Sequence, residues 1–152
     1  MRIRFLSCLM LLVLACGPVH AAEPVLPDGA QEPALPAADA QAIEAVIRAQ
    51  LAAFAKDDAR KAFSYAAPGI RRMFRTPENF LAMVRTGYPV VYRPAAVIFL
   101  RPSGGTGTVI QPVRMADGEG TLWIAVYLMQ RQADGSWLTN GCRLKHSEGQ
   151  VT

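Results

Sequence analysis

The residues best equipped for chemistry in this 152-residue chain are few, and most lie near its end. Trp123, Tyr127, Asn140 and Cys142 fall on two alternating segments, and Gln50 interrupts an apolar stripe far upstream. An indole, a phenol, two amides and a thiol among aliphatic neighbours suit a ligand pocket, an apolar wall with a few polar points that fix orientation. The same residues have plainer uses. Gln50 and Asn140 are amides of the kind that satisfy buried backbone groups, and Tyr127 is of the kind that fills a core. Cys142 sits beside leucines, where burial raises a thiol pKa and leaves the group inert. His146 shares the face of Cys142 but lies about 13 Å along the strand, too far for a dyad. No catalytic residue is assigned.

A second group is purely electrostatic. Arg71, Arg72 and Arg75 cluster between two helical segments and could meet an anionic ligand, a headgroup or an acidic partner. They belong to a stretch, residues 60–101, that carries eight bases and only Glu78, whereas residues 23–58 carry seven acids and two bases. A solvated face partly neutralised by the acidic front half is the alternative.

Several classes of chemistry fail on inventory. The chain has three cysteines and two histidines, and Cys8, Cys16 and His20 all fall in its first 21 residues. Those residues read as a secretory signal: Arg2 and Arg4 precede an apolar run of 12 residues, short of the roughly 20 that span a bilayer. Val19-His20-Ala21 places cleavage before Ala22, giving a periplasmic or secreted product. Val13-Leu14-Ala15-Cys16 offers a competing route, lipidation of Cys16 and an envelope anchor. After cleavage one cysteine, Cys142, and one histidine, His146, remain, and the net charge falls from +4 to +2. No metal, no cofactor and no intramolecular disulfide are expected from such a set. Nucleic acid is not an expected partner of an exported chain.

The elements that must position these residues follow from punctuation and periodicity. Residues 22–38 hold four prolines and read as a linker. Asp39 is placed as the N-cap of a helix over residues 39–55, with Ile43, Val46, Ile47, Leu51 and Phe54 as its apolar stripe and Gln50 within it. Asp58 caps a second helix that stops at Pro68-Gly69. Thr76 caps a third, Pro77 takes N1, Phe80, Leu81 and Val84 turn inward, and Gly87 closes it as the C′ residue. Four strands follow, over residues 95–101, 106–115, 120–132 and 136–146. Asp134-Gly135 predicts a two-residue hairpin turn, which sets Ala133 opposite Ser136, Tyr127 opposite Cys142 and Met129 opposite Asn140. Trp123, Ala125, Tyr127, Met129, Leu138, Asn140, Cys142 and Leu144 then share one face. Helices cover one side of the sheet, and a second copy of the chain could cover the other.

These segments carry a resemblance. Residues 42–54 followed by Asp57-Asp58, then Thr76-Pro77-Glu78-Asn79-Phe80, Gly87-Tyr88-Pro89, Val91-Tyr92-Arg93-Pro94 and Asn140-Gly141-Cys142, resemble the bacterial family called domain of unknown function 4864. More distantly the chain is similar to the nuclear transport factor 2-like (cystatin-like) superfamily. That resemblance implies an α+β fold, N-terminal helices packed on a curved four-stranded antiparallel sheet that forms a cone, over residues 39–146 with a tail at 147–152. It implies little about function, because members of the superfamily include isomerases, hydrolases and binding modules. The expectation is an exported non-catalytic module that binds a small apolar or amphipathic ligand, or a protein partner. The alternatives are a lyase- or isomerase-type enzyme using Tyr127 with an aspartate, and an envelope lipoprotein held at Cys16.

Overall fold

A computed structural model of the chain describes residues 35–147; the expected signal, Cys16, most of the expected linker and the tail beyond Ser147 lie outside the described residues. Within that range five helices precede a five-stranded antiparallel sheet, so the fold is α+β.

Helix α1 runs Ala37–Ala55 and buries Ile43, Ile47, Gln50, Leu51, Ala53 and Phe54 along one side. It starts two residues before the expected cap. Pro36 is the N-cap, a place where the missing amide costs nothing, and Asp39 lies in the first turn. There its carboxylate accepts from Trp137 Nε1 at 3.1 Å and pairs with Arg131 at 3.6 Å. Asp39 therefore fastens the helix to the distant hairpin and does not cap it.

Helix α2, Ala59–Ser64, is capped by Asp58, which accepts from Lys61 N at 2.9 Å. It stops short of Pro68-Gly69. Tyr65 closes it in the αR region, Ala67 is extended, and Ala66 between them bridges Thr139 of the last strand, with Ala67 N donating to Thr139 O and Thr139 N to Tyr65 O, each at 2.8 Å. Pro68 then opens a further helix, α3 (Pro68–Phe74), at N1. The proline that reads as a stop is a start, because its fixed φ suits the first helical residue and its ring favours an extended Ala67. Helix α4, Pro77–Gly87, begins on Thr76, whose hydroxyl accepts from Asn79 N at 3.2 Å, and it buries Phe80, Leu81 and Val84. Gly87 is its last helical residue and not a left-handed C′ residue; Tyr88 caps the end, and Pro89 starts the short α5, Pro89–Tyr92.

The strands are β1 (Ala96–Phe99), β2 (Ser103–Gly104), β3 (Thr108–Ala116), β4 (Leu122–Arg131) and β5 (Trp137–His146). They order β1-β3-β4-β5 in an open sheet, and β2 adds a two-residue pairing to β3. That extra strand depends on Gly104, at φ +124°, where a Cβ would stand 2.5 Å from Thr108 O. Val109, Val113, Met115, Ala125, Tyr127 and Met129 alternate onto the helix-covered face. With the buried side chains of α1 they form one core, and each large apolar group adds about 1.5–3 kcal/mol.

The β4–β5 hairpin corrects the expected register. Gln132 N donates to Ser136 O at 2.8 Å and Gly135 N to Gln132 O at 2.9 Å, so three residues form the loop, with Gly135 at φ +83°. This is a type I turn followed by a left-handed glycine, which suits the strand twist as a two-residue turn would. Met129 consequently faces Thr139, and Trp137 faces Arg131. A bulge at Asn140 then restores the expected pairs, Leu128 with Gly141 and Tyr127 with Cys142.

Candidate functional site

The core is hollow at one end. A cavity of about 250 Å³ lies between the helices and the β4–β5 hairpin. Helix α1 contributes Gln50 and Phe54 to its wall, and the sheet contributes Tyr127, Thr139, Gly141 and Cys142. Helix α4 brings Phe80, Met83 and Val84, and Tyr88 and Val91 close that side. Ile70, Met73 and Phe74 of α3 roof it. They sit at i, i+3 and i+4, one face of a single helical turn. No residue of α3 is fully buried, and Met73 is 70% exposed, so this helix forms the rim. Phe80 holds the roof to the rest by ring contacts with Phe54, Phe63 and Phe74 at 5.9, 5.5 and 5.6 Å.

Three of the five expected pocket residues meet here, namely Gln50, Tyr127 and Cys142. Gln50 is already engaged. Its Nε2 donates to Ala62 O at 3.1 Å, and its Oε1 accepts from the Thr139 hydroxyl at 3.0 Å, which ties α1 to α2 and β5. Tyr127 differs. Its hydroxyl is buried without a hydrogen-bond partner among the described residues, although the ring packs in the core. Burial lifts the phenol well above its usual pKa of 10, and the neighbouring Cys142 adds to the effect. Burial also pushes the Cys142 thiol up to about 12. Both groups stay protonated across the physiological range. No Asp, Glu, Lys, Arg or His is among the described residues that line the cavity.

Trp123 and Asn140 do not join them. Trp123 lies toward the β3–β4 turn, where its Nε1 donates to Asp117 at 3.0 Å and its ring stacks on His146 at 3.8 Å. Asn140 is the bulged residue. It lies in a polar cleft with Pro68, Gly69, Arg72, Gln130 and Gln132, outside the cavity. The assumed two-residue turn placed Asn140 on the Tyr127 face, and the three-residue turn puts Thr139 there in its stead. Arg71 and Arg72 are exposed on α3 and Arg75 ends it; none lines the cavity, and no ion pair holds them among the described residues.

Sequence reasoning missed α3 and Thr139. The triplet Ile70, Met73, Phe74 carried the helical signal for the first, and nothing local carried the second. It also missed a surface cluster. Asp57 sits at φ 55° after α1 and accepts from Arg85 at 2.8 Å, Arg93 at 3.1 Å and the Tyr92 hydroxyl. Those donors, Tyr92 first, hold its carboxyl below the usual range. The cluster ties the α1–α2 turn to α4 and to the end of α5, away from the cavity lining.

Residues 36–152 match the model of a family described as "Domain of unknown function (DUF4864)". No curated protein and no solved structure matches the chain.

Proposed function

The chain belongs to this family, DUF4864, whose description carries no activity, and we propose that it is a non-catalytic binding module whose ligand is a small apolar or amphipathic molecule. One observation carries the reading: Tyr127 lines a mostly apolar cavity, and its hydroxyl is buried without a partner among the described residues. Leaving such a group unsatisfied costs about 1–3 kcal/mol, a cost that a bound ligand atom can offset. Gln50 acts beside it as a strut. An enzyme built on Tyr127 needs a carboxylate at the cavity, whereas Asp57 binds Tyr92 and two arginines elsewhere. Native mass spectrometry of protein purified from its source tests the proposal. A small molecule should copurify with the wild type and be lost when the cavity is filled by Cys142→Leu.

The arrangement of helices against one face of an antiparallel sheet, with a hollow between, supports a nuclear transport factor 2-like relationship. We propose export, which fits the charged, apolar and small-residue tripartite start of the chain; an N-terminus found at Ala22 by sequencing would support it, and an acylated Cys16 would replace it with an anchored form. A second contact is proposed on the opposite sheet face, where Ile98 is 55% and Ile110 42% exposed. A second copy packed there would cover them. Sedimentation velocity should show a dimer that Ile110→Asp dissociates.

A further inference from the structure

Resting on the cavity reading, we infer that the ligand is an uncharged compound of about ten non-hydrogen atoms that presents an acceptor oxygen, a carbonyl or ether, to the Tyr127 hydroxyl. Size follows from volume. A cavity of 150 Å³ takes a six-carbon ring, so 250 Å³ takes about ten such atoms.

Polarity follows from what the wall lacks. Among the described residues the Tyr127 O–H is the one buried side-chain oxygen or nitrogen without a partner, and Tyr127 belongs to the lining. The amide of Gln50 is bonded to Ala62 and Thr139, and the Tyr88 hydroxyl donates to Cys142 O at 3.2 Å. The phenol keeps its proton, so its O–H is a donor without an acceptor, and a ligand oxygen would supply one. The Cys142 thiol also stays protonated and adds no charge.

Neutrality has a separate warrant. A carboxylate or phosphate in this wall would meet no Lys, Arg or His among the described residues, since Arg71, Arg72 and Arg75 all stand outside the lining. An unpaired buried charge is the most expensive group to desolvate. Orientation follows as well. Tyr127 lies on the inner strand β4, and Met73, the most exposed lining residue, lies at the rim. The oxygen enters first, and the apolar body remains under Phe74 and Phe80.

The test uses three probes of equal heavy-atom count: acetophenone, isopropylbenzene and benzoate. They are titrated into the full chain labelled with ¹³C at the methionine methyls. Met73 and Met83 line the cavity and report binding there, whereas Met115 is sealed in the filled core. Acetophenone should bind about five-fold tighter than isopropylbenzene, the net worth of one neutral hydrogen bond. Benzoate should not shift Met73 or Met83 at neutral pH. Tyr127→Phe should erase the five-fold preference while isopropylbenzene still binds. Equal affinity for the two neutral probes, a preference that survives Tyr127→Phe, or tightest binding of benzoate would each overturn the inference while leaving a ligand cavity in place. Should none of the three move Met73 or Met83, the binding reading itself falls. The wild-type comparison of probes decides the matter even if the variant does not fold.

Discussion

Two sets of cross-strand pairs on one face of the sheet meet different fates. Val109–Met129 and Val113–Ala125 are fully buried in the common core with Ile43 and Ile47. Tyr127–Cys142, on the same face, looks into a cavity roofed by a helix with no buried residue. The sheet is continuous across both, so the strands did not make the difference. The covering helices did. Helix α1 lays nineteen residues along the core, whereas α3 offers seven, with its apolar triplet only half inside. A filled region identifies what holds the fold, and a hollow one identifies what the fold can hold.

The largest expected effect lies in truncation. Ile47→Ala, in the filled region, should cost about 3 kcal/mol in urea unfolding. Ile70→Ala, in the roof, should cost under about 1 kcal/mol because Ile70 is only half-buried. Equal losses would break the comparison, since the roof would then be as firmly packed as the core.

Enlargement should reverse the sign. Val113→Phe forces a ring into a closed region and should destabilise by about 2 kcal/mol. Cys142→Leu adds apolar volume where volume is free and should stabilise by about 1 kcal/mol, read as a higher urea midpoint. It should also abolish the methionine shifts produced by acetophenone. A destabilised Cys142→Leu would mean that the cavity closes in solution.

How far this contrast could be read in the sequence depends on the range of the signals. The α1 stripe was legible because five apolar residues recur at helical spacing over about three turns. Gln50 stood out as the one polar residue in that stripe, and the structure gives it buried bonds to Ala62 and Thr139. The strands were legible from alternation, whereas the Tyr127–Cys142 pair was read from a two-residue turn that the chain does not make and holds because the bulge at Asn140 restores the register. Asn140 was misplaced because side-chain alternation is unforgiving: one residue more in the turn moves every following side chain to the other face until a bulge restores it. Trp123 shares the face of Tyr127, yet it meets Asp117 and His146, and alternation cannot tell which end of a face is hollow. Helix α3 was hidden by Pro68-Gly69, a pair that stops helices more visibly than it starts them. The cluster around Asp57 joins residues 28 to 36 apart, a separation that no local pattern encodes.

The two non-glycine residues with positive φ among the described residues mark the same division at smaller scale. Arg75, at φ 66° and ψ −45°, joins α3 to α4 through a strained γ-turn in which Thr76 N donates to Phe74 O at 2.8 Å. No ion pair compensates it among the described residues. Arg75→Gly removes the Cβ clash and should raise stability by about 1 kcal/mol. A loss on calorimetry would show that the arginine head makes a contact that matters.

Asp57 occupies the other such position, and there the strain is offset. Its amide donates to Phe54 O at 3.0 Å and that of Asp58 to Ala53 O at 2.9 Å, the paired bonds that close a helix on a left-handed residue. Its carboxylate then gathers Arg85, Arg93 and Tyr92. Asp57→Asn keeps the turn and an acceptor for Tyr92 but removes both charge pairs. Because the cluster is exposed and solvent screens it, the loss should be the smallest of those argued here. Its pH dependence is nonetheless specific. The folded-state pKa lies below the usual 3.8, so the folded chain binds this proton less readily than the unfolded chain. The contribution is fully present above the unfolded value and is lost as pH falls through the folded one. Melting temperatures of wild type and Asp57→Asn should therefore differ at neutral pH and converge in acid, below about pH 4. A gap that stays constant or widens in acid would mean that Asp57 acts through backbone geometry alone, and the contrast with Arg75 would rest on nothing electrostatic.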